Sequence, residues 1–480
     1  MSPVFPMWVA GVPTRGDDTF EVRSPYDGSL VATTSWATAD QVEAAVSGAA
    51  AVRAEAEALP LHVRADALAA TSARIAERSE ELARLITAEN GKPLMWARAE
   101  VGRAVSVFRI AAEETRRWSG EALRLDTEKA AEGRLGYVRQ VPKGPVLAIS
   151  PFNFPLNLVA HKVAPAIAVG APVVVKPAPK TPLSALVLGE ILADTDLPSG
   201  MVSVVNVPNE AAACLVADER LPVVSFTGSG PVGYQIQRAV PGKHVVLELG
   251  GNAAVVVCSD WDSDADLDWA SSRVATFSNY QAGQSCIGVQ RVLVSSGRYG
   301  DFLDRLTAAV EALVVGDPTD DKTQVGPVIN EDAAARIEAW VDEAVDAGAR
   351  VLTGGKRDGT SVEPTVLTDV PSDAKVAREE VFGPVLVVER VPDDATAFAR
   401  VNDSAYGLQA GVFTHDLQTA FRAHRSLEVG GVIVGDVPSY RADQMPYGGT
   451  KQSGVGREGV RYAMQDYTYQ RVMVLTGLAL

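Results

Sequence analysis

The sequence predicts an α/β protein built from two doubly wound parallel-sheet domains and a small β arm. Three observations carry that expectation. From residue 146, short continuous apolar runs rich in Val and Ile follow one another: VLAIS, APVVVKP, MVSVVNV, LPVVSFTG, KHVVLELGG and AAVVV. Runs without polar alternation suit strands covered on both faces, and helix-compatible stretches such as LSALVLGEILADT lie between several of them. The same texture returns after Cys286, with VQRVLVSS, a helix near FLDRLTAAVEALV, then VGPVI, ARVLTGG, FGPVLVVERV and GGVIVGDVP. Two further apolar strands stand alone, GRLGYVRQVP at 133–142 and QRVMVLTGLAL at the end. Lone strands of this kind invite pairing with a partner subunit. At 480 residues the chain is too long for one ordinary hydrophobic core, and 47% apolar content supplies several.

Ahead of these runs, PMWVAG and TFEVRSPYDGSLVATT read as short strands with a turn at Asp27-Gly28. Thr38 and Gln41 have capping-box spacing and open an Ala-rich helix. A second helix is expected from about Leu61 and should stop near Glu89-Asn90-Gly91-Lys92-Pro93, where Gly and Pro break the pattern.

Composition narrows the function. Lys+Arg 44 against Asp+Glu 60 gives a net charge of -16, a balance that repels nucleic acid and anionic membranes. Cys214, Cys258 and Cys286 are the three cysteines and none is spaced as CxxC, so neither a disulfide scaffold nor a metal site is expected. No basic region followed by a long apolar run opens the chain, and no uncharged apolar stretch reaches about 18 residues. The expectation is a cytoplasmic protein with no nucleic-acid or membrane partner.

Two local patterns carry chemistry. Thr227-Gly228-Ser229-Gly230-Pro231-Val232-Gly233 follows the strand VVSF and matches G-x-G-x-x-G, in which small residues free backbone amides at a helix N-terminus to cradle phosphate. The pattern recurs at 454–459, where no strand leads in and a plain turn is the better reading. A dinucleotide loop calls for an acidic residue about 20 positions on to hold a ribose. Glu248 meets that requirement, yet it ends a strand before two glycines and could equally face an active site. Cys286 sits in QAGQSCIG among small residues that leave it open to close approach, whereas Cys214 and Cys258 lie in apolar runs and read as inert packing. Alone, Cys286 is poised between filler and nucleophile.

PFNFP (151–155), VVKPAPKTP (174–182), FTGSGPVG (226–233), LELGGN (247–252), GQSC (283–286), EEVFGPV (379–385) and MPYGGTKQSGVGREG (445–459) together resemble the aldehyde dehydrogenase superfamily, in order and approximate spacing over nearly the whole chain. The pattern is nearest to the lactaldehyde, glyceraldehyde and phosphonoacetaldehyde dehydrogenase branch. The resemblance implies a Rossmann-like cofactor domain over 1–121 and 143–248, a catalytic domain over 249–458, and a bridging and oligomerisation arm over 122–142 and 459–480. It also implies a homodimer or homotetramer.

The resemblance makes Cys286 the nucleophile, Glu248 the general base and Asn153 an oxyanion donor with the Cys286 amide. An aldehyde cannot surrender hydride until its carbonyl carbon is tetrahedral, so a thiolate must first add, and water must later release the thioester. The Glu248 to Cys286 spacing looks a few residues longer than in many relatives, the excess falling in SDWDSDADLDWA. The cofactor set implied is Phe152, Lys176, Pro179, Gly228, Ser229, Gly233, Leu249, Glu380 and Phe382, with Lys176 on the adenosine ribose, Glu380 on the nicotinamide ribose and Phe382 beside the ring. Many NAD-preferring members carry a glutamate where this chain has Pro179. A 2'-phosphate then meets less repulsion, with Lys180 nearby, so the expectation of NAD or NADP tilts slightly towards NADP or dual use.

For the substrate, a small aldehyde, Arg109, His161, Ser285 and Arg441 are the candidate contacts, and cations at the entrance favour an anionic group. Some phosphonate-handling members place an arginine before the nucleophile, where this chain has Ser285. Arg109 and Arg441 as structural ion pairs is the alternative. Two other activities stay open: acyl transfer to coenzyme A, whose members commonly lack the base, and a cysteine hydrolase or thioesterase.

Overall fold

The computed structural model describes residues 4–295 and 297–478. Two large sheets dominate it. In the first, five parallel strands run in the order Val202–Val204, Val173–Lys176, Val146–Ile149, Val223–Thr227, His244–Glu248, extended by Met7–Val9 and Val12–Thr14 at one edge and Gly454–Val455 at the other. The chain visits these strands from the centre outwards, first one way and then the other, so the strand order reverses between Val146–Ile149 and Val223–Thr227. Loops leaving neighbouring strands there diverge and open a crevice at their carboxyl ends.

Alternation along each strand shows why the runs are apolar throughout. Val146 and Ala148 join one buried cluster, while Leu147 joins another across the sheet; Val173, Val175 and Val174 divide likewise. With neither face solvated, few polar positions remain. The second sheet runs Arg350–Thr353, Thr365–Thr368, Val385–Arg390, Arg291–Val294, Ala254–Val257, Gln409–Phe413, Gly431–Val434, parallel except at its first strand. Val255 and Val257 bury on one side of it and Ala254 and Val256 on the other.

The two lone strands pair with each other. Thr468–Thr476 lies antiparallel to Arg134–Pro142, which also holds Glu121–Arg124. Val472, Met473 and Val474 remain about half exposed on this ribbon. The Thr38 capping box forms as expected, with both reciprocal bonds to Gln41.

Several expectations are corrected. The second helix is two helices, Leu61–Glu77 and Ser79–Asn90, broken at Arg78 without Gly or Pro. Arg78 instead pairs with Glu81 and reaches Glu190 on another helix, a long-range contact invisible to local propensity. VGPVI forms no strand beyond a single bridge at Val325; Pro327 has no N–H to give, and Ile329 N–H goes to the Gln284 side chain at 2.9 Å. The second glycine pattern is not a plain turn, since Gly454–Val455 pairs antiparallel with Leu247 and Glu248. Cys214 is exposed on a short helix rather than packed; Cys258 is buried.

Candidate active site

The carboxyl ends of the first sheet meet the second sheet at a cavity of about 660 Å³. Each wall begins as a strand that stops. Val146–Ile149 runs into Phe152 and Asn153, Val173–Lys176 ends on Lys176 and leads to Pro179, Val223–Thr227 gives way to Gly228 and Ser229, and His244–Glu248 ends on Glu248 before Leu249. Cys286, Glu380 and Phe382 close the cavity from the other side.

The PFNFP loop is fixed from below. Glu100 accepts from the Leu156 and Asn157 amides at 3.0 and 3.1 Å and pairs with the buried Lys92, whose ammonium lies 4.0 Å from the Phe154 ring centroid. The Phe152 carbonyl accepts from Asn90 Nδ2 at 2.7 Å, and the Asn153 carbonyl from Gln281 Nε2. Asn153 is buried, and its Nδ2 donates to the Gln284 carbonyl at 3.0 Å. An amide nitrogen carries two hydrogens, so this bond ties Asn153 to the cysteine loop and leaves one hydrogen for another acceptor.

The cysteine loop is strained. Gln281, Ala282 and Gly283 are successively left-handed, with φ of 54°, 53° and 70°. Such backbone costs about 1 kcal/mol or more at each non-glycine residue and persists only where surroundings enforce it. A Cβ on Gly283 would lie 2.0 Å from the Gly383 carbonyl oxygen. The turn presents Cys286 half-buried, with Sγ 2.9 Å from the Tyr447 hydroxyl. Burial pushes the Cys286 thiol up to about 12.

Both Glu248 carboxyl oxygens are buried without a hydrogen-bond partner among the described residues. Burial, then the nearby Glu458, holds the carboxyl well above the ordinary range. Buried polar atoms are nearly always satisfied, so an unsatisfied carboxyl on a cavity wall stands out. Glu458 contrasts with it. Burial alone would raise Glu458, but Lys162 at 3.0 Å and Arg441 at 3.0 Å hold it down to about 2. Lys162 also donates to Thr227 at 2.7 Å and Ser225 at 3.1 Å.

The other end of the cavity fits a dinucleotide. Ser229 makes no side-chain cap on the helix Gly230–Ala239, so the first amides of that helix face the crevice free of their own side-chain oxygen. Cβ atoms at Gly228 and Gly250 would fall 2.6 Å from the Phe226 ring and 2.1 Å from the Glu380 carboxyl. Lys176 Nζ donates to Asn209 at 2.9 Å, and burial lowers it to about 8. Glu380 accepts from the Gly251 amide at 3.1 Å, and burial raises it to about 7. Phe382 stands edge-on to Phe152 at 5.8 Å.

Five sequence candidates lie off this wall. Gly233 packs inside it, where a Cβ would meet Leu249 at 2.5 Å. The Ser285 hydroxyl, next to Cys286 in the chain, accepts from Tyr280 at 2.8 Å. His161 is buried against Asp443 at 3.3 Å and lowered to about 4 by burial, so it stays neutral; Asp443 also binds Arg103 at 2.8 Å. Arg441 has a side chain 4% exposed, lies 3.7 Å from the Tyr447 ring centroid and has no partner for its Nε among the described residues. Arg109 corrects the entrance expectation. It is exposed on the helix Leu94–Arg117 and pairs with Glu113 one turn away, because its helical position faces solvent.

A profile of the aldehyde dehydrogenase family matches residues 12–473. The chain belongs to that family. Among its relatives is the 3-sulfolactaldehyde dehydrogenase of Priestia aryabhattai, 42% identical over 459 residues and 95% of each chain. Aldehyde dehydrogenase 21 of Physcomitrella patens, solved with the reaction product succinate, superposes with a TM-score of 0.97 at 43% identity, over 100% of this chain and 99% of that one. An NADP complex of glyceraldehyde-3-phosphate dehydrogenase from Methanocaldococcus jannaschii superposes at 0.91 with 34% identity, over 96% and 99%. This aldehyde dehydrogenase therefore oxidises an aldehyde to its acid with NAD(P).

Sequence reasoning missed Tyr447, Lys162, Glu458, Arg103 and the two glutamines of the cysteine loop. Lys162 had a signal: a lysine inside the mostly apolar helix Asn157–Val169 has no route to solvent. Tyr447 and Glu458 lie within MPYGGTKQSGVGREG, whose local pattern carries no signal of the distant partners they meet.

Proposed function

We propose that the enzyme oxidises a small anionic aldehyde through covalent attachment to Cys286. The observation that carries this reading is the placement of Cys286, Asn153 and the unpaired Glu248 around one cavity. The Cys286 thiolate adds to the carbonyl carbon and forms a thiohemiacetal. The oxyanion that results accepts hydrogen bonds from the second Asn153 hydrogen and the Cys286 amide. Lys176, Gly228, Ser229, Glu380 and Phe382 would hold NAD(P)+, which when bound would supply the acceptor for the hydride whose loss turns the thiohemiacetal into a thioester. Glu248 then takes a proton from the water that opens the thioester, and Cys286 is regenerated. Glu248 therefore acts as base, and the ribose contact falls to Glu380. Retention of this base also favours hydrolysis over transfer to coenzyme A, and a dinucleotide-sized cleft argues against a simple hydrolase.

Anion selectivity is supported by Arg441, near enough to Cys286 to favour its thiolate and with its Nε unpartnered among the described residues, and by relatives named for or solved with sulfonate, carboxylate and phosphate compounds. Changing Arg441 to Met should lower the ratio of kcat/KM for anionic over neutral short aldehydes about tenfold to a hundredfold, the scale of a buried charged contact. Arg109→Ala should leave that ratio unchanged, because an exposed i,i+4 pair contributes little. Equal loss on neutral substrates would remove anion recognition from Arg441.

NADP use, or dual use, follows from Pro179 on the wall beside Lys176. Catalytic efficiency with NADP should at least match that with NAD; a preference for NAD of about a hundredfold would overturn it. The exposed apolar ribbon Thr468–Thr476 supports a homodimer or homotetramer, with the ribbon and the 122–142 segment bridging subunits and the two large sheets serving as cofactor and catalytic domains. Three cysteines without disulfide spacing and the acidic charge favour a cytoplasmic setting.

A further inference from the structure

We infer that Tyr447 is a further catalytic residue, whose hydroxyl donates a hydrogen bond to the Cys286 sulfur whenever that sulfur carries negative charge. The hydroxyl oxygen lies 2.9 Å from Sγ, inside the range for a sulfur contact. The ring is buried and fixed, with the Arg441 guanidinium 3.7 Å from its centroid and Glu458 holding that guanidinium at 3.0 Å. A cation over the ring face withdraws electron density and makes the phenol a stronger donor.

The cavity gives this donor a purpose. Cys286 faces Glu248 at the end of its strand, Glu380 ahead of Val385–Arg390, Arg441 and Tyr447 from the loop after Gly431–Val434, and Tyr280 from the turn before it. Two of these neighbours are carboxylates and oppose a thiolate; Arg441 and the Tyr447 hydrogen bond favour it. Burial holds the Tyr447 phenol well above 10, so it keeps its proton and donates a hydrogen bond without giving the proton up.

The bond serves at two stages. Before addition it stabilises the thiolate. After water has attacked the thioester and Glu248 has taken its proton, the C–S bond breaks, the electron pair goes to Sγ, and the same hydroxyl stabilises the leaving thiolate. Between these stages the sulfur is covalently bound and neutral, and the bond weakens. Stabilisation is thus confined to the charged forms of sulfur, the condition for lowering a barrier.

The inference rests on Cys286 as the nucleophile, and its test separates the two. The rate of Cys286 alkylation by iodoacetamide is measured between pH 6 and pH 9, on the cofactor-free enzyme in a Cys214→Ser background, because Cys214 is exposed. Tyr447→Phe keeps the ring, so a packing role predicts no change. Loss of a hydrogen bond to a charged group should raise the thiol by about one pH unit or more. Alkylation at fixed pH then slows about fourfold per unit, after allowing for the greater nucleophilicity of a more basic thiolate. Cofactor affinity should hold while kcat falls. Replacing Tyr447 with 3-fluorotyrosine, a more acidic phenol of nearly the same shape, should speed alkylation, and it decides the matter if the phenylalanine variant does not fold. Parental or faster alkylation in Tyr447→Phe, or slower alkylation with fluorotyrosine, overturns the inference alone. Oxidation surviving in Cys286→Ala overturns the reading beneath it.

Discussion

Cys286→Ala is expected to abolish aldehyde oxidation, lowering kcat by on the order of 10⁵-fold while leaving NAD(P) binding intact. No other thiol can substitute. Cys258 is buried in an apolar cluster, and Cys214 lies exposed on the outer side of a short helix. Without sulfur the carbonyl carbon stays trigonal and a planar aldehyde offers no hydride; removal of a covalent nucleophile costs this much where no alternative route exists. The strained turn through Gln281 and Ala282 should persist, because its hydrogen bonds run through Gln281, Gln284 and Asn153 rather than through the thiol. Cofactor titration and steady-state turnover measured on one preparation check both halves, and turnover near the parental rate would remove Cys286 from the chemistry.

Glu248→Gln should give a different signature. Addition and hydride transfer need the thiolate and the oxyanion donors, so one equivalent of reduced cofactor should appear at close to the parental rate. Hydrolysis should then stall, with steady turnover down about 10²- to 10⁴-fold, the usual contribution of a positioned general base. Rapid mixing resolves the two phases, and acid quenching should trap an acyl group on the Cys286 peptide. A variant with full turnover but weakened cofactor binding would return Glu248 to the ribose.

The pH dependence follows from the same carboxyl. Burial and Glu458 raise Glu248, so its basic form is scarce at low pH and accumulates as pH rises through that raised value. Hydrolysis in the parent enzyme should therefore increase with pH over a range well above that of an ordinary carboxylate, and this rise should be absent from the residual rate of Glu248→Gln.

Much of this was legible in the sequence, for identifiable reasons. A strand buried on both faces must be apolar at every position, so VLAIS and APVVVK announce a covered parallel sheet without reference to the rest of the chain. Local chemistry also reads directly: Thr38 and Gln41 form their capping box from neighbours three residues apart. Where a position depends on partners far along the chain, the reading failed. Arg109 and Arg441 look alike in sequence, yet one points to solvent from a helix and the other is buried 3.0 Å from Glu458. The break at Arg78 is of the same kind, since Glu190 reaches it from another helix.

By itself the sequence determined the α/β class and the strands whose ends line the cavity, because periodicity, glycine and capping act over a few residues. Only the tertiary structure decided that Glu248 has no hydrogen-bond partner among the described residues, that Asn153 spends one hydrogen on Gln284, that Glu458 takes the buried cations, and that Tyr447 meets Cys286. Those states depend on burial and on distances of about 3 Å between residues remote in the chain. Desolvation and hydrogen bonding change steeply over such distances, and no local pattern encodes them.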